Sequence, residues 1–245
     1  MRYMGGKHRQ SKAIAKAIHS KHVGEPYCEP FCGALGSAEK VAPHMGSVSL
    51  SDASLPLVMF WNAVLDGWEP PDLVSEETYA KYAERRHDPD VYDPMSAYCG
   101  YAMSFGGKWY GGLARSNHTD RSQRAQKKAC LRKAAALRSH VKAINNLDYR
   151  EALRGIPDNV VVYLDPPYFS RTVAHHTARG FDTSEFWRIA EALARTNYVY
   201  VSEFVAPEGW IPVHVWGDTV VRHGVKTNEG NASEALFILK HEGRI

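Results

Sequence analysis

The stretch "VVVYLDPPYF" at residues 160–169 begins with three valines and ends with a carboxylate, two prolines and two aromatic residues. A short run of β-branched and apolar residues predicts a buried strand. Because proline has no backbone N–H to donate to a neighbouring strand, the strand must end at Asp165, and the backbone after it is stiff. The Asp165 carboxylate and the Pro166 carbonyl are therefore fixed acceptors, and Tyr168 offers a flat face for stacking on a planar molecule.

Taken alone, the same stretch slightly favours an ordinary loop in which the aspartate caps a helix and the aromatic residues are buried. The rest of the chain places this stretch in a larger pattern. Six further runs predict strands, and helical patterns lie between them. The predicted strands cover residues 26–31, 47–52, 141–147, 160–164, 198–202, 212–216 and 234–240. This order predicts an open, largely parallel sheet with helices on both faces.

Helical patterns cover residues 11–20 and 55–65, and a further helix starts at the capping pattern Asp182-x-x-Glu185. From Pro70 to about Lys142 the sequence is polar and helical, interrupted by "FGGKWYGG" at residues 105–112. It contains no strand typical of a parallel sheet. We therefore expect an insertion or subdomain here.

In open parallel sheets, ligands bind beyond the carboxyl ends of the strands. The glycine turn Gly33-x-x-Gly36 follows the first strand and lets the backbone approach a ligand closely, although it lacks the Gly-x-Gly-x-x-Gly pattern of nicotinamide enzymes. The second strand ends in Asp52, which alone is better explained as a helix cap. Together with the glycine turn, Asp52 is better explained as a carboxylate that accepts hydrogen bonds from ribose hydroxyls.

The composition is that of a globular protein, with 245 residues, 44% hydrophobic residues and 23% charged residues. The sequence has no apolar run of about 18 residues and no apolar signal sequence near its start, so we expect a cytoplasmic protein that does not contact membranes. Four scattered cysteines, without zinc-ligand spacing, predict free thiols and no metal site.

Positive charge is concentrated in one segment, although the net charge of the chain is only +3. Residues 113–142 contain nine Lys or Arg residues and a single acidic residue, Asp120. Such a segment indicates either a polyanionic partner or the solvated face of a helix, and the segment alone supports the two about equally.

Three motifs in a fixed order resemble a known family: "RYMGGK" at residues 2–7, "EPFCGALGSA" at residues 29–38 and "DPPY" at residues 165–168. The order resembles that of the Dam-type (D12 class) DNA adenine N6-methyltransferases, and "VYVSEF" and "NEGNASEALFILK" are similar to the closing strands of that family. The resemblance spans nearly the whole chain. It implies S-adenosylmethionine as cofactor, S-adenosylhomocysteine as product and double-stranded DNA as partner, with no obligate protein partner, in a bacterial cell or phage-infected host.

The resemblance implies an α/β class I methyltransferase fold, a Rossmann-like, seven-stranded mixed sheet with an inserted, mainly helical DNA-recognition subdomain. Residues 1–69 and 140–245 would form the catalytic domain, and residues 70–139 the target-recognition subdomain. Four parts of the chain would bind the cofactor. They are the start segment (residues 3–7), the loop of the glycine turn (residues 29–36), the ribose-binding Asp52, and the segment with Asp148 and Tyr149, which would contact the adenine ring. The implied cofactor residues are Tyr3, Met4, Gly5, Gly6, Lys7, Glu29, Pro30, Phe31, Gly33, Gly36, Asp52, Asp148, Tyr149 and Asp165.

The catalytic motif implied by the resemblance is Asp165, Pro166, Pro167 and Tyr168. Asp165 and the Pro166 carbonyl would accept hydrogen bonds from N6 of a flipped adenine, and Tyr168 would stack on that base. Aspartate at the first motif position and an insertion before the motif favour adenine in DNA over three alternatives that use similar motifs: cytosine N4, adenine in RNA, and protein glutamine. A catalytically silent binding protein is the remaining alternative.

The basic segment and the loop before it are the predicted DNA-binding surface. A helix over residues 121–142 would present Arg124, Lys128 and Arg132 to phosphates from one face. The loop at 105–118 would enter a groove or insert an aromatic wedge. The alternative is a hairpin tip whose aromatic residues pack on the subdomain. The predicted DNA contacts are Lys108, Trp109, Tyr110, Arg115, Asn117, Arg121, Arg124, Lys128 and Arg132.

Overall fold

The computed structural model describes residues 1–116, 118–167, 181–216 and 233–240. Within these residues, all seven predicted strands are present. The strands are β1 (Tyr27–Glu29), β2 (Val48–Asp52), β3 (Ile144–Asn146), β4 (Val161–Leu164), β5 (Tyr198–Glu203), β6 (Trp210–Trp216) and β7 (Glu234–Leu239). The α-helices are α1 (Ser11–His19), α2 (Ala38–Val41), α3 (Leu55–Leu65), α4 (Glu76–Glu84), α5 (Pro94–Ala97), α6 (Thr119–Leu137), α7 (Tyr149–Ala152) and α8 (Thr183–Ala194).

The strands form one sheet in the order β3-β2-β1-β4-β5-β7-β6. Neighbours from β3 to β5 pair in parallel, whereas β7 is antiparallel to both β5 and β6. A mixed seven-stranded sheet with one antiparallel strand beside its edge is the arrangement of class I methyltransferases, so the predicted fold class is confirmed. Parallel strands place their carboxyl ends along one edge, where ligands bind.

Strand β4, the strand of the "VVVYL" run, lies in the centre of the sheet and is fully buried. Successive strand residues point to opposite faces. Val161 and Tyr163 accordingly belong to the core on one side of the sheet, and Val162 and Leu164 to the core on the other. The first core lies under α1 to α3 and the helical segment, and the second lies under α7 and α8.

The helical segment at residues 70–139 packs on the sheet rather than around a separate core. Its residues Tyr79, Tyr98 and Leu137 share one buried cluster with Leu50 and Ile144 of the sheet. Helix α3, which is apolar on nearly all sides, lies within this cluster. The sheet and the segment are therefore stabilised by the same buried surface.

The prediction of a helix over residues 121–142 is wrong at its C-terminal end. Helix α6 ends at Leu137, with Arg138 as its C-cap. The Arg138 guanidinium donates to the carbonyl of Leu65 at 2.9 Å, and Val141 is buried as the chain turns towards β3. These contacts with α3 and the core outweigh the helical propensity of the last residues, so Lys142 lies outside the helix.

No helix in the described part of the chain is both long enough and apolar enough to cross a membrane. All four cysteines are free, as their spacing predicts, and the structure shows that all four are buried.

Candidate functional site

A pocket lies at the carboxyl ends of β1, β2 and β4. It is lined by every residue that the sequence assigned to the cofactor, and by Asp165, Pro166 and Pro167 of the catalytic motif. Tyr168, the last residue of that motif, lies outside the described residues. The sequence analysis did not identify further lining residues, namely Cys32, Ala34, Ser37, Ala53 and Phe181. Most of these adjoin motif residues along the chain, which is the signal that could have identified them.

The glycine turn and the end of β2 are joined through Asp52. Its carboxylate accepts hydrogen bonds from the backbone N–H groups of Gly33 and Ser54, both at 2.9 Å. Ser54 is the N-cap residue of α3, so Asp52 also serves the local role that the sequence left open. Burial raises the pKa of Asp52, and the two backbone donors oppose that rise. The carboxylate has acceptor capacity left for ribose hydroxyls in the pocket.

The two glycines of the turn are needed for different reasons, backbone conformation at Gly33 and close packing at Gly36. Gly33 has a φ of +48°, a conformation that side chains rarely adopt. A Cβ on Gly36 would lie 3.2 to 3.3 Å from backbone atoms of Lys7 and His8. The start segment therefore rests directly on the glycine turn, which fixes the two motifs relative to each other.

One wall of the pocket is aromatic. The rings of Phe31 and Tyr149 are stacked, with centroids 5.3 Å apart and an interplanar angle of 27°. Phe181 contacts Tyr149 at 5.6 Å between ring centroids. Beside them, Asp148 caps α7 by accepting from the N–H of Arg150 at 2.9 Å. A flat apolar wall next to a carboxylate suits an adenine ring with its exocyclic amino group.

Glu29 is buried at the end of β1. It accepts hydrogen bonds from the hydroxyl of Tyr27, at 2.7 Å, and from the hydroxyl of Ser37. Burial raises the pKa of Glu29 to about 8, although both hydrogen bonds lower it. A cationic group in the pocket would stabilise the ionised form of this carboxyl group.

Lys7 connects the start segment to the catalytic motif. Its ammonium group lies 2.5 Å from a carboxylate oxygen of Asp165 and 3.3 Å from one of Glu234, and the side chain is 4% exposed. Gln10 donates to the other oxygen of Glu234 at 3.3 Å. The sequence analysis did not identify Glu234 or Gln10. No local signal could have linked Glu234, at the start of β7, with a lysine near the start of the chain.

The basic segment uses much of its charge in ion pairs. Arg115 contacts Glu76 at 2.9 Å, and Arg124 pairs with Asp72. Arg132 pairs with the buried Glu39. Among the predicted DNA contacts that the structure describes, Lys108, Arg121 and Lys128 are exposed and have no carboxylate within ion-pair distance. Asn117 lies outside the described residues.

Trp109 and Tyr110 pack within the helical segment, as in the alternative that the sequence left open. The Trp109 ring centroid lies 4.8 Å from that of Tyr101, and the Tyr110 hydroxyl donates to the carbonyl of Ser96 at 3.0 Å. Phe105 of the same loop is 69% exposed. The loop adjoins the pocket, because the carbonyl of Gly107 accepts from the N–H of Met4 at 3.1 Å.

The model of the family described as D12 class N6 adenine-specific DNA methyltransferase matches residues 3–102. This range contains the start segment, the glycine turn and Asp52. This part of the chain is therefore similar to D12 class methyltransferases. The resemblance stated from the sequence is thereby confirmed, and the enzyme uses S-adenosylmethionine.

Solved structures of methyltransferases are similar to this chain at low sequence identity. The rRNA methyltransferase aviRa from Streptomyces viridochromogenes is 16% identical, with a TM-score of 0.43, over 94% of this chain and 84% of that chain. Magnesium protoporphyrin IX methyltransferase (ChlM) from Synechocystis PCC 6803, with bound SAM, is 12% identical, with a TM-score of 0.39, over 97% and 80%. No curated protein sequence matches the chain.

The lining of the pocket fits this cofactor. Four carboxyl groups line it, from Glu29, Asp52, Asp148 and Asp165, and Lys7 is the one cation among the described lining residues. An acidic site suits the positive sulfonium and ammonium groups of S-adenosylmethionine. The stacked wall would hold the adenine ring, and Asp52 the ribose hydroxyls. No group of three or more His, Cys, Asp or Glu residues that could hold a metal ion occurs among the described residues.

Proposed function

We propose that this enzyme transfers the methyl group of S-adenosylmethionine to N6 of an adenine that is flipped out of duplex DNA. The observation that carries the proposal is the position of Asp165. Its carboxylate follows a central strand, lines the same pocket as the cofactor residues and is held at 2.5 Å by the buried Lys7. The family match supports adenine in DNA as the substrate.

When bound, the cofactor supplies a methyl group already activated by the adjacent sulfonium. The role of the protein is therefore to make N6 of adenine a better nucleophile and to align it. The N6 lone pair is delocalised into the ring. Hydrogen bonds from the N6 hydrogens to the Asp165 carboxylate and the Pro166 carbonyl would draw that nitrogen towards a tetrahedral geometry and stabilise the charge that develops on it.

Lys7 acts in this scheme by orienting Asp165. Ionised carboxylates have about four lone-pair sites, so the contact with Lys7 leaves capacity for the base. The scheme uses Asp165 as an ionised carboxylate, which can only accept hydrogen bonds. Pro166 and Pro167 fix the backbone on the other side of the acceptor.

The target base must leave the duplex before N6 can reach Asp165, which costs a few kcal/mol of unstacking. Tyr168 is proposed to stack on the flipped base and offset part of that cost. We assign the wedge that fills the vacated position to Phe105, because it is the exposed aromatic residue of the loop beside the pocket, whereas Trp109 and Tyr110 are packed.

The remaining assignments concern the DNA-binding surface. Residues 70–139 are proposed as the target-recognition subdomain, and residues 1–69 and 140–245 as the catalytic domain. Lys108, Arg121 and Lys128 are the strongest candidates for phosphate contacts, since their charges are exposed and are not used in ion pairs among the described residues. Arg115, Arg124 and Arg132 would have to exchange a carboxylate partner for a phosphate.

The experiment that tests this function is incubation of the purified protein with methyl-labelled S-adenosylmethionine and duplex DNA, followed by nucleoside mass spectrometry. The proposal predicts labelled N6-methyladenine. Labelled N4-methylcytosine would show that the target base is cytosine and not adenine. Absence of any labelled nucleoside, with cofactor binding intact, would favour the catalytically silent alternative.

A further inference from the structure

A second cleft, of about 530 Å³, lies between residues 1–10 and helix α6. It adjoins the cofactor pocket, because Tyr3, Gly6, Lys7, Ala34 and Gly36 line both. None of the sequence motifs identified it. Its cationic groups come from residues 1–10 on one side and from the C-terminal half of α6 on the other.

The lining of this cleft is strongly basic. Arg2, His8 and Arg9 contribute from residues 1–10, and Arg132 and Lys133 from α6, whereas none of the described lining residues is Asp or Glu. Lys7 and Arg132 are already paired with carboxylates outside the lining, and burial lowers the pKa of His8. The positive charge left for a ligand therefore comes from Arg2, Arg9 and Lys133. Arg9 is exposed and has no ion-pair partner among the described residues. The cleft therefore has a concentrated positive potential that suits an anionic ligand.

The other arginine of residues 1–10 is held by neutral groups. The Arg2 guanidinium donates to the hydroxyl of Ser122 at 2.9 Å and to the carbonyl of Ala102 at 3.4 Å. Neither acceptor carries a charge, so the positive charge of Arg2 is not cancelled by these contacts. An anion entering the cleft meets this charge in addition to that of Arg9.

Both walls of the cleft are fixed in place. The backbone N–H of Arg2 donates to the side-chain oxygen of Gln126 at 2.6 Å, which ties the start of the chain to α6. The Lys133 ammonium donates to the carbonyl of Ala34, next to the glycine turn. A site with preformed walls loses little conformational entropy when a ligand binds.

Lys133 places a positive charge in a buried position, which costs free energy. Its side chain is 2% exposed. The pKa of Lys133 is lowered to about 8, mainly by burial; the charges of Arg132 and Lys40 act in the same direction, and Cys130 and Glu29 oppose them. An anion bound in the cleft would offset the cost of burying this charge.

A stripe of positive charge on α6 leads to the cleft. Arg121, Lys128 and Arg132 are spaced seven and four residues apart, which places them on one face of the helix. Arg132 is paired with Glu39 and would exchange that partner for a phosphate. The stripe covers about 16 Å at the rise of an α-helix. An extended array of cations suits an extended polyanion better than a single small anion.

We infer that this cleft binds a backbone phosphate of the DNA substrate and that the α6 stripe binds the neighbouring phosphates. The inference rests on the proposed function, because it assumes that DNA is the substrate. It adds Arg2, His8, Arg9 and Lys133 to the DNA-binding surface. DNA bound here would contact the start segment whose Lys7 holds Asp165.

The test compares two charge reversals of equal size, Arg9→Glu in the cleft and Arg195→Glu. Arg195 is exposed at the C-terminal end of α8, at the sheet edge opposite the pocket. Binding to a short labelled DNA duplex is measured by fluorescence anisotropy over a range of salt concentrations. Arg9→Glu is expected to weaken binding about tenfold and to reduce the slope of log affinity against log salt by about 1, whereas Arg195→Glu changes neither.

Three further measurements make the outcome decisive. Arg9→Gln should show the same direction with a smaller effect, and S-adenosylhomocysteine affinity and the melting temperature should be unchanged in both Arg9 variants. Wild-type DNA binding with equal affinities for the Arg9→Glu and Arg195→Glu variants would overturn the cleft assignment alone. Failure of the wild type to bind duplex DNA, or preferential binding of RNA, would overturn the proposed function as well.

Discussion

The cofactor pocket and the basic helical segment use their charges in opposite ways. In the pocket, Glu29, Asp52 and Asp165 converge on one cavity from three strand ends, with one lysine among them. In the helical segment, Arg115 and Arg124 are paired with carboxylates of the same segment. Charges that converge on a cavity are available to a ligand, whereas a high density of charge along a helix is compatible with internal pairing.

The largest stability effect is expected for Lys7→Met, which removes the cation at the centre of the pocket. Asp165 and Glu234 would then lie in a largely buried site without the lysine between them, and breaking a buried pair in this way costs about 3 to 5 kcal/mol. Denaturant unfolding measures the loss. Arg124→Met, which breaks an exposed pair, should cost less than about 1 kcal/mol.

The double variant Lys7→Met with Glu234→Gln provides the control. Removing one of the two carboxylates should restore part of the lost stability, because less negative charge remains buried. Equal costs for Lys7→Met and Arg124→Met would contradict the distinction between the two regions.

A smaller effect is expected in the pH dependence of stability, through Glu29. Because burial raises its folded-state pKa from 4.5 to about 8, the folded protein binds this proton more tightly than the unfolded chain does. The resulting stabilisation is fully present below about pH 4.5 and is lost as the pH rises through about 8. Between pH 5 and 8 the loss is on the order of 3 kcal/mol. Glu29→Gln should remove this loss, as followed by thermal unfolding between pH 5 and 8.

Other groups titrate in the same range, so the informative quantity is the difference between wild type and variant at each pH. Glu76→Gln, at an exposed residue of the helical segment, is a matched control and should follow the wild type. Parallel pH profiles for wild type and Glu29→Gln would show that Glu29 is not the source of the change.

The smallest effects separate two aromatic residues of one loop. Trp109→Ala should cost about 2 kcal/mol, because the ring packs against Tyr101 and its N–H donates to the carbonyl of Arg86 at 3.2 Å. Phe105→Ala should change stability by less than about 0.5 kcal/mol, since the side chain is 69% exposed. Because we assign the wedge to Phe105, the Phe105→Ala variant should methylate DNA more slowly than the wild type, although its free energy of unfolding is nearly unchanged. Normal methylation by Phe105→Ala would contradict the assignment.

Much of the fold could be predicted from the sequence because it depends on local patterns. The β-branched run before Asp165 and the apolar residues of α3 specify buried elements without knowledge of their partners. The glycine turn and Asp52 were also predictable, since their roles follow from conformations and strand ends that short motifs encode. Because these features follow parallel strands, they lie together at one edge of the sheet.

The pairing of charges could not be predicted in the same way. Arg115 and Arg124 contact acidic residues 39 and 52 positions earlier, and Lys7 contacts Glu234 near the other end of the chain. No periodicity connects such residues, because tertiary packing brings them together. The end of α6 was misjudged for the same reason, since contacts of Arg138 with α3 decide it.

The central claim is that Asp52 and Asp165 serve one pocket in different roles, cofactor binding and methyl transfer. The most direct test is calorimetric titration of S-adenosylhomocysteine into the Asp52→Asn and Asp165→Asn variants, alongside their turnover on duplex DNA. Asp52→Asn should weaken binding about ten- to a hundredfold. Asp165→Asn should bind within about threefold of wild type and lose turnover by about a hundred- to a thousandfold. Near-normal turnover by Asp165→Asn, or normal binding by Asp52→Asn, would contradict the claim.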